Sequence, residues 1–287
     1  MGLQLVTDSA ADLPENIINQ FDIVVEPLTV NLDDKVYRDG ETIKPVELFH
    51  GMREGRVYKT AQVSVGQFKD LFTKYAQEKQ SCLYLAFSSE LSGTCQAAVI
   101  ASAQVREDFP DFEIEIIDTK CASLGEGMVV YKTAQLIEDG VSREEVIEAA
   151  RFYADHMEHI FTVDDLEYLY RGGRVSKASA FIGGVLNIKP ILDVEEGRLI
   201  PIEKKKGRKR VFKRILGLME ERGMDISGQE IAISHGDDLE AAEKLADMIR
   251  ERFKPKRIII NMISAAIGAH AGPGTLSVFF LNDNYNK

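Results

Sequence analysis

The heptapeptide Ser88-Ser89-Glu90-Leu91-Ser92-Gly93-Thr94 joins an apolar run, residues 82–87, to a second run, residues 95–101. The first run predicts a buried strand and the second predicts a helix. A turn from a strand into a helix directs free backbone N–H groups and the positive end of the helix dipole at one point. Its hydroxyl groups therefore suit a small anion, such as a carboxylate or a phosphate. A plain helix cap by Ser or Thr is the alternative that these residue types leave open.

The composition limits the classes of protein to consider. The chain has 287 residues, of which 45% are hydrophobic, and a formal net charge of -11. This length supports a large core and predicts two domains. The acidic balance argues against general nucleic-acid binding, so no nucleic-acid partner is predicted.

Positive charge is concentrated in residues 204–214, which hold eight Lys and Arg residues. This segment is either a solvated hairpin end followed by the polar face of a helix, or a surface for an anionic partner. Transient contact with a membrane surface belongs to the second interpretation.

The three cysteines, Cys82, Cys95 and Cys121, are odd in number and have no C-x-x-C spacing. This usage predicts reduced, buried thiols in a cytoplasmic protein. The N-terminus reads as a strand, with no basic leader before an apolar segment, so no signal peptide is expected.

Predicted strands and helices alternate in the first half of the chain, which indicates parallel βαβ units with ligands at the carboxyl ends of the strands. Asp8 stands at such an end, where it either lines a cleft or hydrogen-bonds its own turn. We predict an N-terminal α/β domain over residues 1–158, with a small β excursion near residues 23–40.

The second half of the chain predicts a mixed sheet. The turn sequence Glu195-Glu196-Gly197 lies between two extended runs and predicts a hairpin. Residues 176–187 predict an apolar helix in which Gly183-Gly184 lets a neighbouring element or an extended ligand approach the backbone. We predict an α+β C-terminal domain over residues 159–287. The fold class is therefore α/β with two domains and the ligand between them.

Three polar residues are candidates for ligand binding. Ser64 and Gln67 form a capping box, whereas Thr60 has no such local role and stays a candidate. We predict that His270 lies in a glycine-rich loop, either in a structural role or as the partner of Ser92 or Thr60. His235, at a strand end, is an alternative partner.

The rival function is that of a serine hydrolase or acyltransferase that uses Ser92 and His270. The sequence around Ser92 lacks the G-x-S-x-G elbow of such hydrolases. His156 and His159 lack the accompanying ligands of a metal site, and the chain has no P-loop for ATP. We therefore predict no catalytic residue, no metal and no cofactor, and a protein that binds an amphiphile. A ligand-sensing module is a third possibility.

Five stretches in order along the chain together resemble the DegV family. They are Val6-Thr7-Asp8-Ser9, the heptapeptide at residues 88–94, Ile117-Asp118-Thr119 with Ser123 and Gly125, Arg171-Gly172-Gly173-Arg174 followed by the apolar run 181–190, and Gly268-Ala269-His270-Ala271-Gly272-Pro273-Gly274. Each motif alone is weak, but the ordered set spans nearly the whole chain and is specific.

The resemblance implies two α/β domains that bury a long-chain, palmitate-like fatty acid between them. It also implies a non-enzymatic subunit of bacterial fatty acid kinase, in which a separate ATP-dependent kinase subunit phosphorylates the bound carboxylate for phospholipid synthesis. By position, Ser92 and Thr60 would hydrogen-bond the carboxylate, His270 would join that network, and Arg171 would contact the kinase subunit. The chain departs from the family's Thr-Ser-Gln-Pro-Ser pattern at Ala61 and Val63, which puts the conformation of the Thr60 loop in question.

Overall fold

A computed structural model of the protein describes residues 2–175 and 187–285. The helix predicted over residues 176–187, with Gly183-Gly184, lies outside the described residues except for Asn187. The described part of the chain forms three sheets with helices packed against them.

The strands and helices are numbered in chain order. The strands are β1 (Leu3–Asp8), β2 (Val24–Glu26), β3 (Thr29–Leu32), β4 (Lys35–Arg38), β5 (Lys59–Ala61), β6 (Ser81–Ala86), β7 (Ile114–Asp118), β8 (Met157–Thr162), β9 (Ile188–Glu195), β10 (Arg198–Lys206), β11 (Glu230–His235), β12 (Arg257–Met262) and β13 (Leu276–Leu281). The α-helices are α1 (Glu15–Gln20), α2 (Pro45–Arg53), α3 (Val65–Gln77), α4 (Thr94–Asp108), α5 (Leu124–Glu138), α6 (Arg143–Asp155), α7 (Glu167–Arg171), α8 (Arg208–Arg222), α9 (Leu239–Phe253) and α10 (Ala265–Ala271).

A four-stranded sheet in the order β2-β1-β6-β7 forms the first layer, and all its strand pairs are parallel. Parallel neighbours need crossover connections, which α1 makes between β1 and β2 and α4 makes between β6 and β7. Leu5, Val6, Leu83 and Tyr84 are buried, so both faces of the sheet are covered. The prediction of parallel βαβ units is confirmed.

A six-stranded sheet in the order β10-β9-β8-β13-β11-β12 forms the second layer. Only its β11–β12 pair is parallel, and its other described pairs are antiparallel. The prediction of a mixed sheet is therefore confirmed, and β9 and β10 form the predicted hairpin. Helices α8 and α9 cover one face of this sheet with a core that includes Ile215, Met219 and Leu245.

The small β excursion is larger than the sequence predicted. β3 and β4 pair as a hairpin, and β5 joins β3 on its other side. β2, which falls within the predicted excursion, belongs instead to the four-stranded sheet. The excursion is therefore part of a three-stranded sheet in the order β4-β3-β5, which also contains residues 59–61.

The prediction of a loop around His270 is wrong, because this residue lies in helix α10. The Ser264 hydroxyl accepts a hydrogen bond from the Ile267 N–H and caps the helix. Gly268 lies on the side that packs against α2, where an added Cβ would lie 2.8 Å from Cζ of Phe49. The glycine therefore serves close helix packing within a regular helix.

Helix α10 complicates the division of the chain into domains. The strands of the four-stranded sheet all precede residue 119, and those of the six-stranded sheet all follow residue 156. However, Ala265 and Ala269 of α10 pack in the core formed by the first half of the chain. The boundary near residue 158 stays a prediction.

Candidate functional site

A cavity of about 340 Å³ lies where the two halves of the chain meet. Its wall is mostly apolar, and both halves contribute to it; the apolar residues include Leu28, Phe87, Leu91, Phe161, Leu199 and Phe279. Thr60, Ser92 and His270 also line the cavity. The three predicted binding residues are thus brought together from distant parts of the sequence.

Ser92 occupies the turn before helix α4. Its Oγ lies 2.8 Å from Oγ1 of Thr94 and accepts a hydrogen bond from the Thr94 N–H at 3.3 Å. Ser88 is fully buried and donates to the carbonyl of Gly197 in the β9–β10 turn at 2.8 Å. Ser92 thus supports the helix start while its half-buried side chain faces the cavity, and Ser88 ties the turn to the other half of the molecule.

Thr60 is positioned by strand β5, in which it pairs with Val30 of β3. Its Oγ1 lies 2.7 Å from Nε2 of His270. His270 is therefore hydrogen-bonded to Thr60 and not to Ser92, whose described side-chain bonds go to Thr94. The Val63 N–H donates to Thr94 Oγ1 at 3.4 Å, a bond that a proline at this position would lack.

Burial, together with the positive charge of Arg174, lowers the pKa of His270 to about 4. The imidazole is therefore neutral at neutral pH and acts as a hydrogen-bonding group without a charge. Arg174 supplies the charge, since it also lines the cavity and its Nε donates to the Leu91 carbonyl at 3.2 Å. Sequence reasoning missed Arg174, although it stands in the same Arg-Gly-Gly-Arg motif that pointed to Arg171.

Arg171 is exposed and lies outside the apolar cavity. It lines a second cavity of about 320 Å³, to which Thr60, Arg174 and His270 also contribute. The guanidinium carbon of Arg171 lies 5.0 Å from the centre of the Tyr168 ring. The polar end of the apolar cavity thus adjoins a second cavity with a basic lining.

Two buried carboxyl groups from the first half of the chain hold the start of helix α10. Asp39 accepts hydrogen bonds from the N–H groups of Ala265 and Ala266 at 2.9 and 3.2 Å, and Asp12 accepts one from the Ser264 N–H at 2.7 Å. Burial raises the pKa of both, that of Asp12 to about 7. Asp12 and Asp39 therefore position the helix that carries His270, and nothing in their local sequence indicates this.

The remaining candidates have structural partners. Asp8 accepts hydrogen bonds from Ala10, Phe87 and Tyr84, so it serves its turn. His235 accepts a hydrogen bond from the Asp238 N–H, and His156 lies 2.8 Å from Asn282 Oδ1. Within residues 2–175 and 187–285, no group of His, Cys, Asp and Glu side chains is arranged to hold a metal ion.

The basic segment divides into paired and exposed residues. Arg208 pairs with Asp164 and Asp238, and Arg214 pairs with Glu203 and Glu221. Lys205 also pairs with Glu203. Lys206, Lys209, Arg210 and Lys213 are among the exposed residues at the end of β10 and on the first turns of α8. Among the described helices, none combines the length and apolar character needed to cross a membrane.

The three cysteines are free and buried, as their odd number and spacing predicted. Burial raises the pKa of Cys82 to about 12 and that of Cys95 to about 11. These thiols therefore stay protonated and poorly reactive at neutral pH.

Comparisons with known proteins agree on one family. A family model described as an uncharacterised protein of the DegV family matches residues 2–283. A DegV domain-containing protein of Clostridium perfringens is 42% identical over 282 residues, which cover 97% of each chain. A fatty-acid-binding DegV family protein from Thermus thermophilus has a TM-score of 0.89 and 33% identity, with 97% of this chain and 99% of that one covered. DegV of Bacillus subtilis, described as a fatty acid binding protein, has a TM-score of 0.87 and 28% identity, with 97% and 98% covered. The chain belongs to the DegV family.

Proposed function

We propose that the protein binds a long-chain, palmitate-like fatty acid in the apolar cavity, with the carboxylate at Thr60, Ser92 and His270. The observation that carries this proposal is the grouping of these polar side chains with Arg174 in an otherwise mostly apolar cavity. The fatty-acid-binding relatives from Thermus thermophilus and Bacillus subtilis support it.

Binding of a fatty acid requires both an apolar wall for the acyl chain and polar groups for the carboxylate. Burying about 14 methylene groups contributes about 11 kcal/mol before the costs of binding, at about 0.8 kcal/mol each. An unpaired buried carboxylate would cancel several kcal/mol of that gain. The hydroxyl groups, the neutral imidazole and the positive charge of Arg174 offset this cost at one end of the cavity.

We further propose that the protein presents the carboxylate to a separate ATP-dependent kinase subunit, which forms the acyl phosphate. The second, basic cavity adjoins Thr60 and His270 and would admit a phosphoryl group beside the carboxylate. The chain is then a carrier without an ATP site of its own, in keeping with the missing P-loop sequence.

The free buried thiols favour a cytoplasmic location. The exposed cations at residues 206–213 would allow transient contact with an anionic membrane surface.

Removing the Ser92 hydroxyl should weaken fatty acid binding about 3- to 10-fold, because a hydrogen bond to a carboxylate is lost where water only partly replaces it. The affinity for palmitate and the lipid released by organic extraction, identified by mass spectrometry, measure this for Ser92→Ala. Ser89→Ala is the matched control, since Ser89 is exposed in the same turn and does not line the cavity. A wild-type protein that neither carries nor takes up fatty acid would refute the proposed function.

Replacing Arg171 should separate fatty acid binding from phosphorylation. For Arg171→Ala we expect unchanged affinity for palmitate and slower acyl phosphate formation by the kinase subunit, with weaker salt dependence than in the wild type. Arg250→Ala is the control, because Arg250 is exposed on α9 and pairs with Asp247 on the same helix. Equal phosphorylation rates for both variants would contradict the docking role of Arg171.

A further inference from the structure

Ser277 is a polar residue on the cavity wall contributed by the six-stranded sheet. It lies on β13 between Leu276 and Val278, whose side chains pack into the core beneath α8 and α9. Side chains alternate along a strand, so Ser277 and Phe279 lie on the opposite face, and both line the cavity. Ser277 pairs across the sheet with Phe161, which also lines the cavity.

The hydroxyl of Ser277 has no hydrogen-bond partner among residues 2–175 and 187–285, although the residue is only 7% exposed. Neighbouring polar groups on the same wall are already engaged. Thr275 donates to the carbonyls of Ala271 and Gly272, and Ser123 donates to Asp12. The ring nitrogens of His159 bond to the Met157 carbonyl and the Ala122 N–H. This hydroxyl faces the cavity without a protein partner in the described part of the chain, so it is available to bond a group of a ligand.

The position of Ser277 along β13 sets how far from the carboxylate such a ligand group would lie. Thr275 is bonded to the end of helix α10, which carries His270. Ser277 follows two residues later, about 7 Å further along the strand. It is therefore separated from the polar end of the cavity and would contact the acyl chain rather than the carboxylate.

We propose that the cavity accommodates a hydroxylated long-chain fatty acid, whose chain hydroxyl exchanges a hydrogen bond with Ser277. This inference rests on the proposed fatty acid binding and extends it to the class of acyl chain. An apolar acyl chain that fills the cavity would displace water from this hydroxyl and leave it without a partner, whereas a hydroxyl on the chain restores the hydrogen bond. A ligand hydroxyl is delivered by the chain that carries it and needs no other polar group.

The test compares pairs of ligands that differ by one hydroxyl. Affinities are measured for oleate against ricinoleate, and for stearate against stearates hydroxylated at successive carbons, with the wild type, Ser277→Ala and Ser277→Thr. Comparing the affinity ratio of each pair between the wild type and a variant cancels the cost of removing the ligand hydroxyl from water, as in a double-mutant cycle. For at least one hydroxyl position, we expect Ser277→Ala to shift the ratio against the hydroxylated acid by about 2- to 10-fold. Ser277→Thr, which keeps the hydroxyl, should retain the wild-type ratio.

Two results separate this proposal from the proposed function. If all three proteins bind stearate and oleate but show the same ratios for every pair, Ser277 does not recognise a ligand hydroxyl and the inference is overturned. If the wild type binds none of these acids, the proposed function itself fails. Tighter binding of stearate by Ser277→Ala would support the inference, since that variant removes the unpartnered hydroxyl.

Discussion

Replacing Asp39 with alanine should lower the free energy of unfolding by about 2–5 kcal/mol. Asp39 is 2% exposed and accepts hydrogen bonds from the N–H groups of Ala265 and Ala266 and from the Ser9 hydroxyl. Each donor left buried without a partner costs about 1–3 kcal/mol, and relief from burying the carboxylate offsets part of that loss. The N–H groups open the helix that carries His270, so fatty acid affinity should fall as well.

Urea unfolding at neutral pH measures the first effect, and palmitate binding to the folded variant measures the second. Asp34→Ala is the matched control, because Asp34 is exposed in the β3–β4 turn. The free energy of unfolding of Asp39→Asn should lie between those of Asp39→Ala and Asp34→Ala, since the amide oxygen of asparagine still accepts hydrogen bonds from the helix. If Asp39→Ala were as stable as Asp34→Ala, the carboxyl group would not hold α10.

The change from Gly172 to alanine should weaken fatty acid binding about 10- to 100-fold. Gly172 has a φ of −71°, which suits any residue, so the local backbone tolerates the substitution. An added Cβ would, however, overlap Nδ1 of His270. The imidazole must then move away from Thr60. The carboxylate of the ligand then loses its hydrogen bond to the imidazole, and the imidazole no longer holds the Thr60 hydroxyl in place.

Gly66→Ala is the matched control for this change. Gly66 lies in the first turn of α3, and the nearest atom to an added Cβ there is Ser64 Oγ at 3.8 Å. Calorimetric titration with palmitate measures the affinities, and the NMR signals of the His270 ring report its displacement. Unchanged His270 signals and wild-type affinity in Gly172→Ala would show that the ring is not confined as the structure indicates.

Much of the fold follows from local patterns in the sequence. Apolar runs such as residues 82–87, bounded by polar turns, predicted strands that the structure contains, because strand burial needs such side chains on both faces. The Ser64–Gln67 capping box was also predicted, since a cap is a contact between residues three positions apart. The glycine-rich segment around His270 was misread as a loop, because the helix depends on its packing against α2 more than on propensity.

The candidate site was predicted only in part. Thr60, Ser92 and His270 were all named from the sequence and again by resemblance. Ser92 was named for its place in a strand-to-helix turn, Thr60 because it has no capping role, and His270 for the small residues around it. Arg174 was missed, because only its burial beside the cavity distinguishes it from Arg171. Asp12 and Asp39 were missed as well, since their partners in α10 lie more than 200 residues away in the sequence.

The residues of the strand-to-helix turn at 88–94 were enough to indicate a candidate anion-binding site, because the strand, the turn and the helix each depend on residues close together in the sequence. Whether this site faces an apolar cavity depended on how the two halves of the chain pack together. The hydrogen bond of 2.7 Å between Thr60 and His270 joins residues that are 210 positions apart. Such a contact forms only when both halves are folded and α10, near the end of the chain, packs against elements of the first half. No local sequence pattern therefore predicts it. The unpartnered hydroxyl of Ser277 arises in the same way, since its isolation is a property of the assembled wall.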